Sequence, residues 1–334
     1  MAGNASSALR QSWQRRGALA CLLWPVSKLY AALTALRRML YRSGHLASTR
    51  LPVPVITVGN VIAGGAGKTP VTMAVVRHLQ SRGFRPGVVS RGYGRQTADC
   101  RAVTEKSTPN EVGDEPLLLA RALDVPVFVA RQRADAAKAL LVEHPEVNVI
   151  VCDDGLQHLA LQRDIEICVF NDEGIGNGWL LPAGPLREPW PRKVDLVLHA
   201  GHAPGGAAPQ FALSRELAEH AVTAQGVRVP LDSLRGQDVN ALAAIARPEE
   251  FFAMLRARGL KLARTFALPD HADLTHWQAA GDASLPLLCT EKDAIKLWRT
   301  VPDALAVPLQ VHLPAAFFDA LDGLLRRYHP PLAQ

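Results

Sequence analysis

Lys68 and Thr69 close the stretch VITVGNVIAGGAGKTP, residues 55–70, in which four glycines fall within nine residues. These residue types at this spacing suit phosphate chemistry. Successive backbone amides of Gly64, Gly65, Ala66 and Gly67 can converge on phosphate oxygens, and the positive end of a helix starting at Lys68 adds to the attraction. The Lys68 ammonium would neutralise terminal phosphates, and the Thr69 hydroxyl would serve Mg²⁺. Pro70 is compatible with a first helical turn, where its missing amide has no intrahelical partner. Ile62 stands where the usual phosphate-loop pattern has its first glycine, so only the later part, GGAGKT, is kept. The stretch is not GxGxxG either, which speaks against a dinucleotide fold.

A second constellation is VCDDGLQH, residues 151–158, an apolar run ending in Asp153 and Asp154. Mg²⁺ takes hard oxygen ligands. One carboxylate could hold a metal-bound water while the other orients nearby groups, although paired acids also serve as caps or ion-pair partners. His158 could stand behind them or be a packed structural histidine. In VGDEP, Asp114 and Glu115 precede a helix, where capping and dipole complementation are their ordinary uses. GPLREP sets Arg187 and Glu188 between prolines. Arg187 could grip a phosphate bidentately, as could Arg91 in SRGYGR and Arg133. Tyr93 could pack on a sugar or an acyl chain, and Asn60 could brace the start of the glycine loop. Each has a plainer alternative as solvated charge, salt bridge or loop packing. TEKD, residues 290–293, lacks the spacing of a guanine signal. Thr290 reads instead as a helix cap with Asp293 completing the box, which tilts the nucleotide toward ATP.

Positioning these residues needs strands that end beside them. Residues 53–58 predict a strand running into the glycine loop, and 68–82 a helix. PGVVS, VPVFVA, VNVIVC, DIEICVF and KVDLVLHA read as further strands, with helices from near Asp114 and over 132–143. Continuous apolar runs fit strands buried on both faces, and the alternation predicts a mainly parallel, doubly wound α/β sheet with its chemistry at the strand carboxyl ends. HAPGGAAPQ, residues 202–210, marks a boundary. Beyond it a smaller α/β unit has strands near 239–245, 260–267, 285–289 and 306–312, and helices near 248–258, 291–298 and 314–328.

The amino end is basic and apolar. Gly17–Ser27 is its longest uncharged run, shorter than the span of about 20 apolar residues a crossing needs. Pro25 should bend or divide the segment, and no signal-peptide cleavage site follows. Leu29, Leu33, Leu36 and Leu40 recur at helical spacing. Trp13, Trp24, Tyr30 and Tyr41 suit a lipid interface, and Arg15, Arg16, Arg37, Arg38 and Arg42 suit anionic head groups. Packing on the protein's own core is the alternative. With Lys plus Arg at 37 and Asp plus Glu at 31, the chain carries a formal charge of +6. No zinc-finger spacing, RNP-like strand or long basic helix turns that excess toward nucleic acid. The five cysteines form no CxxC or metal spacing and suit a reducing compartment.

Taken together, VGNVIAGGAGKTP, SRGYGR, VGDEPLLLA, VCDDGLQH, GNGWLLPAGPLREP, LPDHADLT and CTEKDAIKL resemble the tetraacyldisaccharide 4'-kinases, the lipid A 4'-kinases of Gram-negative bacteria. The blocks cover about residues 20–300, and the leader WPVSKLYAALTALRRMLYRSG is similar too. Two places depart from the family: Ala244 and Ala246 stand at expected glycines, and Ala272 follows His271 where many members have a second histidine. The resemblance implies a P-loop nucleoside triphosphate hydrolase-like fold with a smaller C-terminal α/β domain. It implies ATP and Mg²⁺ as cofactors, and phosphorylation of the 4' hydroxyl of an acylated glucosamine disaccharide 1-phosphate. It further implies a peripheral or monotopic protein on an anionic surface, the cytoplasmic face of the inner membrane. The expected organisation is a membrane-associating segment over 1–48, a kinase domain over 49–201, a linker over 202–228, and a domain over 229–330 that completes the active-site cleft. No nucleic acid or obligate protein partner is expected.

The resemblance also makes Asp114 and His271 candidates for proton transfer, with Asp154 as the competing base and Lys68 as the electrostatic catalyst. Thr69, Asp153 and Glu115 become the metal candidates. Asn60, Arg91, Tyr93, Arg133, Gln157, His158, Arg187 and Glu188 become those for substrate. Two rivals remain: a membrane-associated phosphate-loop ATPase acting as a switch or transport accessory, and a non-enzymatic lipid-binding module. Neither gives GPLREP and PDH a task.

Overall fold

The computed structural model of the chain describes residues 11–270, 272–274, 276–277 and 285–328. The chain divides into two compact units. The first runs to Ser90 and takes in Gln132–Ser214 and the segment from Leu313 onward; the second comprises Arg91–Arg131 and Arg215–His312.

In chain order, the first strands are β1 (Val55–Gly59), β2 (Pro86–Ser90), β3 (Arg101–Ala102), β4 (Val127–Val129) and β5 (Val149–Asp153). They are followed by β6 (Ile165–Phe170), β7 (Leu196–His199) and β8 (Gln210–Ala212). In the first unit the strands lie in the order β2-β5-β1-β6-β7-β8, every pair parallel. The residues of β1, β2, β5 and β7 are buried throughout, as expected of strands covered on both faces. Helix α1 (Ala18–Arg42) opens this unit, and α2 (Lys68–Ser81) follows the glycine loop.

Pro25 neither ends nor divides α1, contrary to the sequence expectation: the helix runs through it for 25 residues. A proline there removes one ladder bond. The helix is held instead by its inner face, where Ala20 and Ser27 are buried and polar contacts reach residues 180–188. By length and composition it could cross a bilayer, although its longest uncharged run fell short of that.

The second unit contains β3 and β4, an antiparallel pair, with α3 (Pro109–Val112) and α4 (Asp114–Ala122) between them. Its main sheet uses β10 (His220–Val222), β11 (Arg228–Pro230), β12 (Asp238–Ala243), β13 (Lys261–Ala267), β14 (Leu287–Thr290) and β15 (Leu305–Val307). The strand order is β11-β10-β15-β14-β12-β13, parallel from β13 to β15 and antiparallel at β10 and β11. Three features depart from the sequence reading. Residues 202–228 are not plain linker: they hold β8, β10 and the short strand β9 (Ser214–Leu217). Their runs of three or four residues are too short to show periodicity. The single strand expected over 306–312 is two, β15 and β16 (Leu309–His312), in different sheets. Last, the units do not follow chain order. The C-terminal helix, labelled α8 (Ala315–Leu325), belongs to the first unit, where Phe318 stacks on His78 of α2 and Asp322 bonds its Nε2 at 2.7 Å. Residues 91–131 belong to the second, because Val112, Leu117 and Val129 share a core with Ile295.

Candidate active site

The glycine loop is fixed at its start by a second segment of chain. Val61 accepts the Arg187 N–H at 2.7 Å, Ala63 donates to the Pro185 carbonyl at 2.7 Å, and Ile62 bridges Leu186 in antiparallel fashion. Ile62, the residue that breaks the usual pattern, is therefore a rung of this short ladder. Val61, Ile62, Ala66, Leu156 and Leu186 are buried together beneath it. The loop's carbonyls are also tied down. Asn60 Nδ2 donates to Gly64 at 3.4 Å, Asn171 Nδ2 donates to Gly65 at 3.3 Å, and Gln157 Nε2 donates to the Asn60 carbonyl at 2.9 Å. At Gly67 the chain turns with φ +69°, a left-handed conformation that glycine adopts without steric cost, and α2 begins at Lys68.

At the end of β5, the Asp153 carboxylate accepts from the Thr72 hydroxyl of α2 at 2.8 Å, both side chains being buried. Asp154 stands in the left-handed region at φ +49°, unusual for a residue with a side chain. The turn that allows this is held by Arg133 at the start of α5 (Arg133–Glu143). Its guanidinium donates to the Asp153 carbonyl at 3.3 Å and the Asp154 carbonyl at 2.6 Å. The Arg133 N–H donates to His158 Nε2 at 3.2 Å. The strained backbone aims the Asp154 carboxylate between two cations, Lys68 Nζ at 3.6 Å and Arg187 Nη1 at 3.6 Å. Burial pushes the Asp154 carboxyl up, but Lys68, Arg187 and Arg133 outweigh it and hold the group below its ordinary value. The first unit thus gathers Lys68, Thr69, Asp153, Asp154 and Arg187 around one helix start.

These residues fit a hard divalent ion. Among the described residues no group of three or more His, Cys, Asp or Glu forms a metal cage. Mg²⁺ needs none, since it keeps waters and substrate oxygens and takes one or two carboxylates. Thr69 and Asp153 offer oxygens, and the buried Asp154 Oδ1 lacks a hydrogen bond.

The second unit holds another charged cluster. Gly113, at φ +91°, joins α3 to α4, and a Cβ there would lie 2.9 Å from the Tyr93 carbonyl oxygen. This close approach sets the SRGYGR turn against the start of α4. Asp114 is buried there and pairs with Lys296 at 2.7 Å, each side chain only 9% exposed. Lys296 also donates to the Ala272 carbonyl at 3.0 Å. One turn earlier on the same helix, α7 (Glu291–Leu297), Lys292 lies 3.8 Å from Glu115 and 3.3 Å from Asp270. Burial lowers the Lys292 ammonium, but Glu115, Asp270 and Asp114 outweigh it and hold its pKa above the ordinary lysine value. Thr290 caps α7 as expected, accepting the Asp293 N–H at 3.2 Å. The Asp293 carboxylate, however, accepts from the Ala244 N–H and the Thr290 hydroxyl.

Several expected contacts fall elsewhere. Arg133 reaches the backbone of the paired aspartates, and Glu188 is ion-paired with Arg192 and Arg38. Arg91 and Tyr93 are exposed in the second unit. His271 lies outside the described residues. Sequence reasoning missed Lys292 and Lys296, although two lysines four apart after a helix cap share one face. Burial pushes the Cys152 thiol up to about 11, and also raises Cys168 and Cys289, as befits small core hydrophobes.

A sequence model of the tetraacyldisaccharide-1-P 4'-kinases matches residues 19–326. A tetraacyldisaccharide 4'-kinase of an Acidovorax species is 70% identical over 317 residues, covering 95% of this chain and 94% of that protein. The Delftia acidovorans tetraacyldisaccharide 4'-kinase is 58% identical and covers 98% of each. Among solved structures, the "apo" form of LpxK from Aquifex aeolicus in complex with ATP superposes with a TM-score of 0.80 at 30% identity, covering 93% of this chain and all of that one.

Proposed function

The chain belongs to the tetraacyldisaccharide-1-P 4'-kinase family, and from that premise we propose how its residues divide the work of the reaction. The activity is ATP-dependent phosphorylation of the 4' hydroxyl of the lipid A disaccharide precursor, a tetraacylated glucosamine disaccharide 1-phosphate. The observation that supports the division is the Lys68–Asp154–Arg187 cluster at the start of α2, with its two separations of 3.6 Å.

The loop from Gly64 to Pro70 holds the triphosphate, with Lys68 on its terminal phosphates. Asp154, ionised between two cations, holds Lys68 and Arg187 side by side and aimed before substrate arrives, which reduces the reorganisation left for the transition state. Arg187 meets the charge on the phosphoryl oxygens. Of Asp114 and His271, one accepts the hydroxyl proton and the other tunes it, a part carried over from the family resemblance. As the 4' oxygen bonds to the γ-phosphorus, the bond to the β–γ bridging oxygen breaks and ADP leaves. Thr69 and Asp153 would hold Mg²⁺, which when bound would neutralise charge on the phosphate oxygens; Glu115 is a metal candidate by the family resemblance alone. Asn60 and Gln157 keep the loop in shape, and Arg91, Tyr93, His158 and Glu188 serve the acceptor side directly or through their neighbours.

The outer face of α1 lies on the cytoplasmic surface of the membrane. Leu22, Val26, Leu29, Leu33, Leu36 and Met39 are exposed along it, with Lys28, Arg37 and Arg42 beside them. Four acyl chains hold the acceptor in the bilayer at about 0.8 kcal/mol per buried CH₂, so the enzyme must come to the lipid.

The test supplies purified protein with Mg²⁺, labelled ATP and the disaccharide 1-phosphate lipid. Label should appear in a bisphosphorylated lipid, and Lys68→Ala should cut the rate about a hundredfold or more, on the scale of one lost transition-state donor. Hydrolysis of ATP at a rate indifferent to acceptor, with no labelled lipid, would favour the switch ATPase instead.

A further inference from the structure

Helix α1 has two faces, and the inner one does work that lipid binding does not require. Ser27, only 4% exposed, donates to the Leu180 carbonyl at 2.8 Å and accepts from the Ala183 N–H at 2.9 Å. One hydroxyl thereby ties two points of the segment leading to Arg187. One helical turn on, the Tyr30 hydroxyl donates to the carbonyl of Arg187 itself at 2.9 Å. The contacts continue at both ends: Trp13 Nε1 donates to the Pro182 carbonyl at 3.0 Å, and Arg38 lies 3.8 Å from Glu188.

Arg187 is consequently held on three sides. Its N–H bonds the glycine loop through Val61, its carbonyl bonds α1 through Tyr30, and its guanidinium meets Asp154. Burial, then the nearby Glu188, raises the Tyr30 phenol, so it remains a donor across neutral pH. The opposite face of the helix is apolar and open, with Leu22 75% and Leu29 63% exposed.

We propose that α1 is a positioning element for the reaction, in which Ser27 and Tyr30 fix the backbone of residues 180–187 so that Arg187 faces the phosphate loop. The helix that meets the lipid then also sets the aim of a phosphate-binding arginine. This inference rests on the phosphate-binding reading of Arg187 given above.

The test is a double-mutant cycle in the full-length protein, using Tyr30→Phe, which removes one oxygen and keeps the ring. Loss of one such hydrogen bond should lower turnover about three- to tenfold. ATP-binding stoichiometry and co-sedimentation with phosphatidylglycerol-containing vesicles should stay at wild-type levels. Ser27→Ala should behave alike. In an Arg187→Lys background, itself slowed, adding Tyr30→Phe should change turnover by less than about twofold, because coupled residues are non-additive. The same fold loss in both backgrounds would overturn the coupling, as would unchanged turnover in both single variants, or loss of vesicle binding by Tyr30→Phe. Wild-type turnover by Arg187→Lys would instead overturn the reading of Arg187, and this inference with it.

Discussion

Asp154 and Asp114 are both carboxylates beside lysines, yet their settings differ. Asp154 is shared by Lys68 and Arg187 at 3.6 Å, loose contacts that a phosphate can replace. Asp114 has a close partner in Lys296 at 2.7 Å, and both side chains are withdrawn from water. Breaking a buried ion pair by removing one partner typically costs about 3–5 kcal/mol. Lys296→Met should therefore destabilise the protein by an amount on that scale, read by urea unfolding. It should also depress turnover of the fraction that remains folded. Lys296→Arg, which keeps the charge in a different shape, should recover much of the stability. A Lys296→Met protein as stable as wild type would show that the pair contributes little.

Elements deliver these residues through specific backbone devices. The start of α4 depends on Gly113, whose φ of +91° and ψ of 158° lie where only glycine is comfortable. An added Cβ would also press on the Tyr93 carbonyl at 2.9 Å. Gly113→Ala should shift Asp114 by moving the turn, so we expect at least a tenfold loss of turnover, on the scale that a small misplacement of a reacting group commonly costs. Nucleotide affinity, which our proposal assigns to the first unit, should change little in a titration with an ATP analogue. Equal losses of affinity and turnover would contradict this. A chain of ion pairs makes a comparable device in the first unit: Arg163, Glu166, Arg192, Glu188 and Arg38 alternate in sign from the strand side to α1. Burial is the main reason the Glu166 carboxyl sits above its usual value, two arginines notwithstanding.

For the molecule as a whole, charge and surface act together. The net +6 is modest, but Lys28, Arg37 and Arg42 line the helix that exposes its leucines. Attraction of basic residues to anionic lipid is worth about 1 kcal/mol per residue near the surface and is screened over roughly 10 Å at 0.1 M salt. Binding to phosphatidylglycerol vesicles should weaken markedly between about 0.05 and 0.5 M NaCl and retain an apolar remainder. Leu29→Glu with Leu33→Glu should abolish that remainder without moving the thermal midpoint, because both side chains are exposed. Salt-independent binding by wild type would argue against the basic residues taking part.

Local chemistry alone determined much of this protein. Continuous apolar runs announced the buried parallel strands, because a strand covered on both faces has no polar side to alternate with. Gly67 and Lys68 announced the glycine turn and the start of α2, because backbone conformation there is a property of neighbouring residues. Thr290 announced its helix cap for the same reason. Tertiary structure decided what depends on distant residues meeting. Nothing near Ile62 in sequence says that it pairs with Leu186, nothing near Asp114 names Lys296, and nothing in the leader says that Tyr30 reaches Arg187. Those pairings are separated by more than a hundred residues. Sheet order, the return of α8 to the first unit and the path of residues 177–188 create them, and no local periodicity encodes such closures.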